Sequence, residues 1–152
     1  MNRPSLDLAL LVLRLAGLGL ALFHGWGKLS ALSAGNDRFV QGVRQMGFPA
    51  PLVFAWSAAI AETVGGTLVT LGLFARVAAA LCAVTMFVAA FVRHHALDQL
   101  FVRVGLMEVP PERLTAWGNP ELALLYLAAF LAIALAGAGA LSVDGLRGGR
   151  RR

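Results

Sequence analysis

Apolar residues in this chain run in long blocks, not in the alternating or one-sided stripes of a water-exposed fold. Four blocks stand out: Leu6 to Gly25, Leu52 to Phe74, Arg76 to Val92 and Pro120 to Leu141. A bilayer core takes about 20 apolar residues per helix, so each block predicts one crossing. The predicted fold class is therefore all-α, a four-helix transmembrane bundle. Pro49-Ala50-Pro51 opens the second block. Asn119-Pro120-Glu121 gives the fourth a helix-capping residue, a first-turn proline and a first-turn acid. Only a tight turn at Ala75-Arg76 separates the second block from the third, which predicts an antiparallel hairpin.

Two longer connections remain. Residues Lys28 to Ala50 are polar and contain glycine, and read as a loop. Arg93 to Gly118 mixes charges with Leu97, Leu100, Phe101, Val104 and Leu106, a spacing that suits one short helix in the membrane interface or a loop packed on the bundle mouth. Trp26, Trp56 and Trp117 fall near segment ends, where aromatic belts form. The domain reading is one transmembrane domain over 1–146 and a basic tail over 147–152. Only a small share of the 152 residues, 14%, is charged, and 59% are hydrophobic, which leaves no room for a separate soluble domain.

The net charge of +5 comes largely from Arg147, Arg150, Arg151 and Arg152. Such a cluster beside a membrane segment favours cytoplasmic placement and anionic lipid headgroups, and one short basic tail does not make a nucleic-acid binder. An even number of crossings puts both termini on one side. Lysines and arginines then divide evenly, with Arg3, Arg76 and the four tail arginines facing Lys28, Arg38, Arg44, Arg93, Arg103 and Arg113. The density of the tail and the shortness of the Arg76 turn place the termini in the cytoplasm. Arg14 interrupts the first apolar block and no small-residue cleavage site follows, so this block reads as a retained helix, not a signal peptide. The single cysteine, Cys82, allows no intramolecular disulfide and no dithiol motif, and reads as a packing residue.

Charges inside apolar blocks cost several kcal/mol and mark function or pairing. Glu62 lies at the centre of the second block and Arg14 in the first. On a helical wheel Glu62 shares its face with Ala55, Ala58, Ala59, Gly65 and Gly66, while Ile60, Val64, Leu68 and Leu71 face the other way. Small residues let helices approach in a membrane, so Glu62 points inward. Arg14 shares a stripe with Asp7, Gly17, Ala21, Gly25 and, slightly off line, Lys28, opposite Val12, Ala16, Leu20 and Phe23. Similar depth predicts an Arg14–Glu62 ion pair in the bundle, which either does chemistry or only fixes helix register. The topology also gathers His24, Trp26, Lys28, Trp56, His94, His95 and Glu121 at the face opposite the termini. Histidine as a residue type can exchange a proton with a ligand, and tryptophans bracketing a ring would suit a quinone-like head group. Each member also has a plain reading as a cap, a belt anchor or a snorkelling cation. Too few ligands share the right spacing to predict a haem or metal site.

These residues together resemble the DoxX family of small four-helix bacterial membrane proteins. The resemblance rests on Leu13-Arg14-Leu15, Gly17, His24-Gly25 and Lys28-Leu29 in the first helix, and on Glu62, Gly65-Gly66, Leu71-Gly72-Leu73 and Arg76 in the second and its turn. It ends with Gly137, Gly139, Ser142 and Asp144. It implies a four-helix inner-membrane protein with cytoplasmic termini and a link to redox chemistry. Some relatives are membrane subunits of thiosulfate:quinone oxidoreductase, and others accompany enzymes of oxidative or thiol stress. Carried over by matched motif, Arg14, His24, Lys28, Glu62 and Arg76 are the characteristic polar positions. The expectation is a subunit or accessory of a quinone-linked oxidoreductase, with Arg14, Glu62 and His24 in the chemistry. Lys28, Trp26, Trp56, His94 and Glu121 would surround the quinone. Membrane lipid, a partner redox enzyme and a second copy of the chain are the expected partners. A carrier of lipid or small apolar solute, and a structural anchor for a partner enzyme, are the competing expectations.

Overall fold

The computed structural model describes residues 3–149, so Arg150, Arg151 and Arg152 of the basic tail lie outside the described residues. Those described are almost all helical, with no strand among them. Four helices are long and apolar enough to cross a bilayer, as the hydrophobic blocks predict. We number the helices in chain order. The first crossing, α1, runs Pro4–Ser33; α2 is Arg38–Gln45; the second crossing, α3, is Pro51–Leu71; the third, α4, is Ala75–Arg93. Helices α5 (Ala96–Arg103), α6 (Pro111–Trp117), α7 (Glu121–Ala136) and α8 (Val143–Gly149) follow. The fourth crossing is Pro111–Ala136, broken between α6 and α7, where Gly118 takes a φ of 70°.

Small residues set how closely the helices pack. Helix α1 runs antiparallel to α3, with Gly17 against Gly66 and Gly25 against Thr63. A Cβ on Gly17 would overlap the backbone carbonyl of Gly66, and one on Gly66 would lie 2.6 Å from the Gly17 carbonyl. Ala55, Ala59, Glu62, Gly65 and Gly66 are buried, while Ile60, Val64 and Leu71 are exposed, so the inward stripe is where the wheel placed it. Leu20 departs from the wheel. Expected outside with Val12 and Phe23, it is fully buried with Val69, Phe130 and Ile133. A π-helical turn follows directly at Ala21–Gly25, and its extra residue per turn rotates the later side chains relative to a regular helix.

The hairpin turn lies one step earlier than expected. Gly72 (φ 68°) and Phe74 (φ 48°) make it, and Arg76 is already in α4. Asp144 stabilises this turn by accepting the N–H groups of Phe74 (3.0 Å) and Ala75 (2.9 Å), the unsatisfied donors at the start of α4. Asp7 accepts the N–H of Ala140 (2.7 Å). The fourth crossing also ends sooner than Leu141, because Gly137 and Gly139 turn the chain with positive φ. The first connection is not a loop: α1 continues to Ser33, and α2 is amphipathic, burying Val40 and Val43 against Ala55 and Ala59. The third connection holds the short helix α5, and the second short helix of this stretch, α6, already belongs to the fourth crossing.

Replacing Gly17 with alanine should overpack a backbone-to-backbone contact that cannot yield, at a cost of about 1–3 kcal/mol. Thermal unfolding in detergent should show a lowered midpoint for Gly17→Ala, with Gly27→Ala, which meets open space, as the control. Equal midpoints would mean that the α1–α3 contact does not set the packing.

Candidate functional site

Glu62 is buried and its carboxylate is doubly engaged, but not by Arg14. The Lys28 ammonium lies 2.6 Å from Oε1 and 2.6 Å from Oε2. The expected Arg14–Glu62 pair is therefore corrected to a Lys28–Glu62 pair. The reason is register. Antiparallel packing sets Gly25 beside Glu62 and Thr63, which brings the next turn of α1, with Lys28, within reach of the carboxylate. Arg14 lies about four helical turns before Lys28 and meets the far end of α3. Its guanidinium donates to the carbonyls of Thr70 (3.1 Å) and Leu141, and packs against Gly72. Those carbonyls belong to a helix end and to the irregular segment after α7, both short of intrahelical partners. Arg14 is thus a fully buried clamp between the second crossing and the segment that follows the fourth.

Three π-helical turns, Ala21–Gly25, Ala61–Gly65 and Val88–Arg93, lie in the first three crossings. They hold His24 and Glu62 and lead into His94, whose N–H donates to the Ala89 carbonyl (2.9 Å). Such turns insert one residue, re-aim the side chains after it, and recur at functional sites. Nothing in residue type or spacing announces them. The first two meet face to face, since a Cβ on Gly25 would lie 2.6 Å from the Thr63 backbone nitrogen.

Beside the ion pair the bundle forms a half-open chamber of about 650 Å³, with the exposed Val53, Phe54 and Val84 on its outer side. Its walls are mainly apolar, with Phe48, Phe54, Leu81 and Met86 among them, and its polar residues include His24, Lys28, Glu62, His94 and Tyr126. Helix α2 covers one side through Phe39, Gly42 and Val43. The Phe39 ring also receives the Lys28 ammonium 5.0 Å from its centroid. His24 meets Tyr126 edge to face, with centroids 5.9 Å apart.

Of the residues proposed from sequence, His24, Lys28, Glu62 and His94 border one chamber. Arg14, Trp26, Trp56, His95 and Glu121 do not. Trp26 is largely exposed, and Trp56 packs on the cluster around Val40 and Ala55. His95 stacks on Trp117 at 4.6 Å and bonds Asp98. Glu121 completes the cap foreseen for the fourth crossing: Asn119 Oδ1 accepts its N–H (2.8 Å) and Asn119 Nδ2 donates to its carboxylate (3.0 Å). Tyr126 and helix α2 were missed. A lone tyrosine in an otherwise apolar block was the available signal for the first. The helical spacing of Val40 and Val43 within a polar stretch was the signal for the second. Among the described residues no group of three histidine, cysteine, aspartate or glutamate side chains is arranged to hold a metal.

Fold and site together define a small integral membrane protein, a four-crossing bundle with an ion pair beside a half-open chamber. The DoxX family model matches residues 9–95, and the chain belongs to that family. That match includes Arg14, His24, Lys28, Glu62 and Arg76. Inner membrane protein YphA of Escherichia coli (strain K12) is 32% identical over 142 residues, 93% of this chain and 90% of that protein. No solved structure matches.

Removing one partner of a buried pair leaves an orphan charge and costs about 3–5 kcal/mol, whereas removing both is far milder. Lys28→Met should therefore lower the unfolding midpoint in detergent well below that of the Lys28→Met/Glu62→Met double variant. Adding Glu62→Met to Arg14→Met should rescue nothing. The opposite pattern of rescue would return Glu62 to Arg14.

Proposed function

We propose that the chamber binds an amphiphile of the quinone class and that the chain serves as a subunit or accessory of a quinone-linked oxidoreductase. The observation that carries this reading is an apolar chamber with a buried ion pair and two histidines on its wall. Its volume lies within the range of about 300–1,000 Å³ common to small-molecule sites. Phe48, Phe54 and Leu81 suit a ring and the start of an apolar tail, and His24, His94, Tyr126 and the Lys28–Glu62 pair suit oxygen atoms on the ring. The residue set thus fits a quinone. When bound, such a molecule would supply reversible two-electron, two-proton chemistry. The chain's own part would be to orient it, keep water out through α2, and hold protons at His24 and Glu62. Electrons would come from a partner enzyme. Arg14 has no place in this chemistry, because it does not border the chamber and its terminal guanidinium nitrogens donate to the Thr70 and Leu141 carbonyls. We further propose residence in a bacterial inner membrane with both termini cytoplasmic, a placement that reporter fusions at each terminus would check. A carrier of lipid or small apolar solute is the second reading, favoured by the mainly apolar walls.

Protein in lipid nanodiscs should show saturable quenching of tryptophan fluorescence by a decyl-tailed benzoquinone. His24→Ala should weaken it about 10-fold, the worth of one good hydrogen bond to a polar ring substituent. Quenching that rises linearly and identically in both proteins would sink the quinone reading. A lipid that co-purifies at one per chain would then carry the second.

A further inference from the structure

The break in the fourth crossing decides which nitrogen of His94 is free. Between α6 and α7 the backbone leaves the helix at Gly118, and the carbonyls of Trp117 and Gly118 lose their helical partners. Gln99 Nε2 donates to Gly118 O (2.8 Å) and to His94 O (2.7 Å). His94 Nδ1 lies 2.6 Å from Trp117 O. A carbonyl oxygen only accepts, so Nδ1 carries the hydrogen and neutral His94 keeps its lone pair on Nε2. No described residue bonds Nε2, and the ring borders the chamber. The imidazole is therefore a fixed acceptor, locked from behind by a broken helix.

The other polar groups of the chamber lean the same way. Two of the Lys28 donors serve the Glu62 oxygens, and its ammonium is also held over the Phe39 face. The Asn119 amide donates to Glu121. Arg93, at the solvent-exposed rim, donates to the Ala116 carbonyl. The Glu62 carboxylate has acceptor capacity beyond the two bonds from Lys28, since each oxygen has two lone pairs. Tyr126 and His24 can act in either sense. Of the lining hydroxyls, Thr85 donates to the Cys82 carbonyl and the exposed Ser57 can act in either sense; the fixed acceptors are therefore His94 Nε2 and Glu62, while the part-buried donors of Lys28 and Thr85 are largely spent. Facing an acceptor with a ligand carbonyl leaves both lone pairs unsatisfied, whereas a ligand hydroxyl satisfies the site.

On this basis, and resting on the quinone reading, we infer that the chamber selects the hydroxylated, reduced form of its ligand, with His94 Nε2 accepting a ring O–H. The oxidised form, with carbonyls in place of hydroxyls, binds more weakly. His94 is then the residue that determines specificity between the two.

Competition in nanodiscs tests this under anaerobic conditions, with a radiolabelled decyl-tailed benzoquinone bound to the full chain. The unlabelled quinol should displace it at about 10-fold lower concentration than the unlabelled quinone, and the quinol's dimethyl ether should do no better than the quinone. His94→Ala and His94→Phe, the second retaining ring bulk, should each remove the quinol advantage, so that unlabelled quinol and quinone displace the label at the same concentration. Equal displacement by quinol and quinone, or an advantage that survives both variants, overturns the inference and leaves the quinone reading standing. Failure to retain the label overturns both.

Discussion

A carboxylate held where water scarcely reaches obliges the surrounding bundle to supply a cation, and Lys28 is that cation. Much of the site's architecture follows from this demand. Gly25 must be bare so that α1 can lie against the Glu62–Thr63 backbone, and only that closeness puts Lys28 within 2.6 Å of both Glu62 oxygens. The π-helical turns at Ala21–Gly25 and Ala61–Gly65 meet at the same contact. Phe39 then covers the ammonium from above and ties α2 to the pair. An unpaired charge at this depth would be too costly to keep, so the geometry of the mouth is constrained by electrostatics as much as by packing.

The opposite end of the bundle answers a different need. There the chain makes tight turns at the ends of the crossings, and each turn leaves backbone groups without helical partners. Arg14, Asp7, Ser142 and Asp144 are spent on those groups. Ser142 donates to Gly139 O (2.5 Å) and accepts from Gly145 N (2.9 Å), while Asp144 holds the first donors of α4. The two ends thus divide the polar residues of the family pattern. One set, around Arg14 and Asp144, closes the fold; the other, around His24, Lys28 and Glu62, borders a chamber. The family match, residues 9–95, covers Arg14 and the whole of the second set but not Asp7, Ser142 or Asp144.

His94 joins the two kinds of duty in one ring. Its Nδ1 repairs a break in the fourth crossing and its Nε2 remains for a ligand, so the strength of the scaffold and the polarity of the chamber depend on the same residue. Gln99, on the short helix α5, fixes the same break from the other side. A connection that looks like a plain interfacial loop therefore orients the chamber's histidine.

The sequence by itself determined the membrane class, the number of crossings, the inward face of α3 and the cap at Asn119, because each follows from local composition or from a fixed helical period. It also marked Glu62 and Arg14 as buried charges. It could not say which cation meets which carboxylate, because partners on different helices depend on the register between them. That register was decided by Gly17 against Gly66 and Gly25 against Thr63, contacts between residues more than 35 positions apart. The π-helical turns, the free nitrogen of His94 and the inclusion of Tyr126 were likewise decided only in three dimensions. A one-residue insertion in a helix, or a hydrogen bond across a break, leaves no trace in hydrophobic pattern.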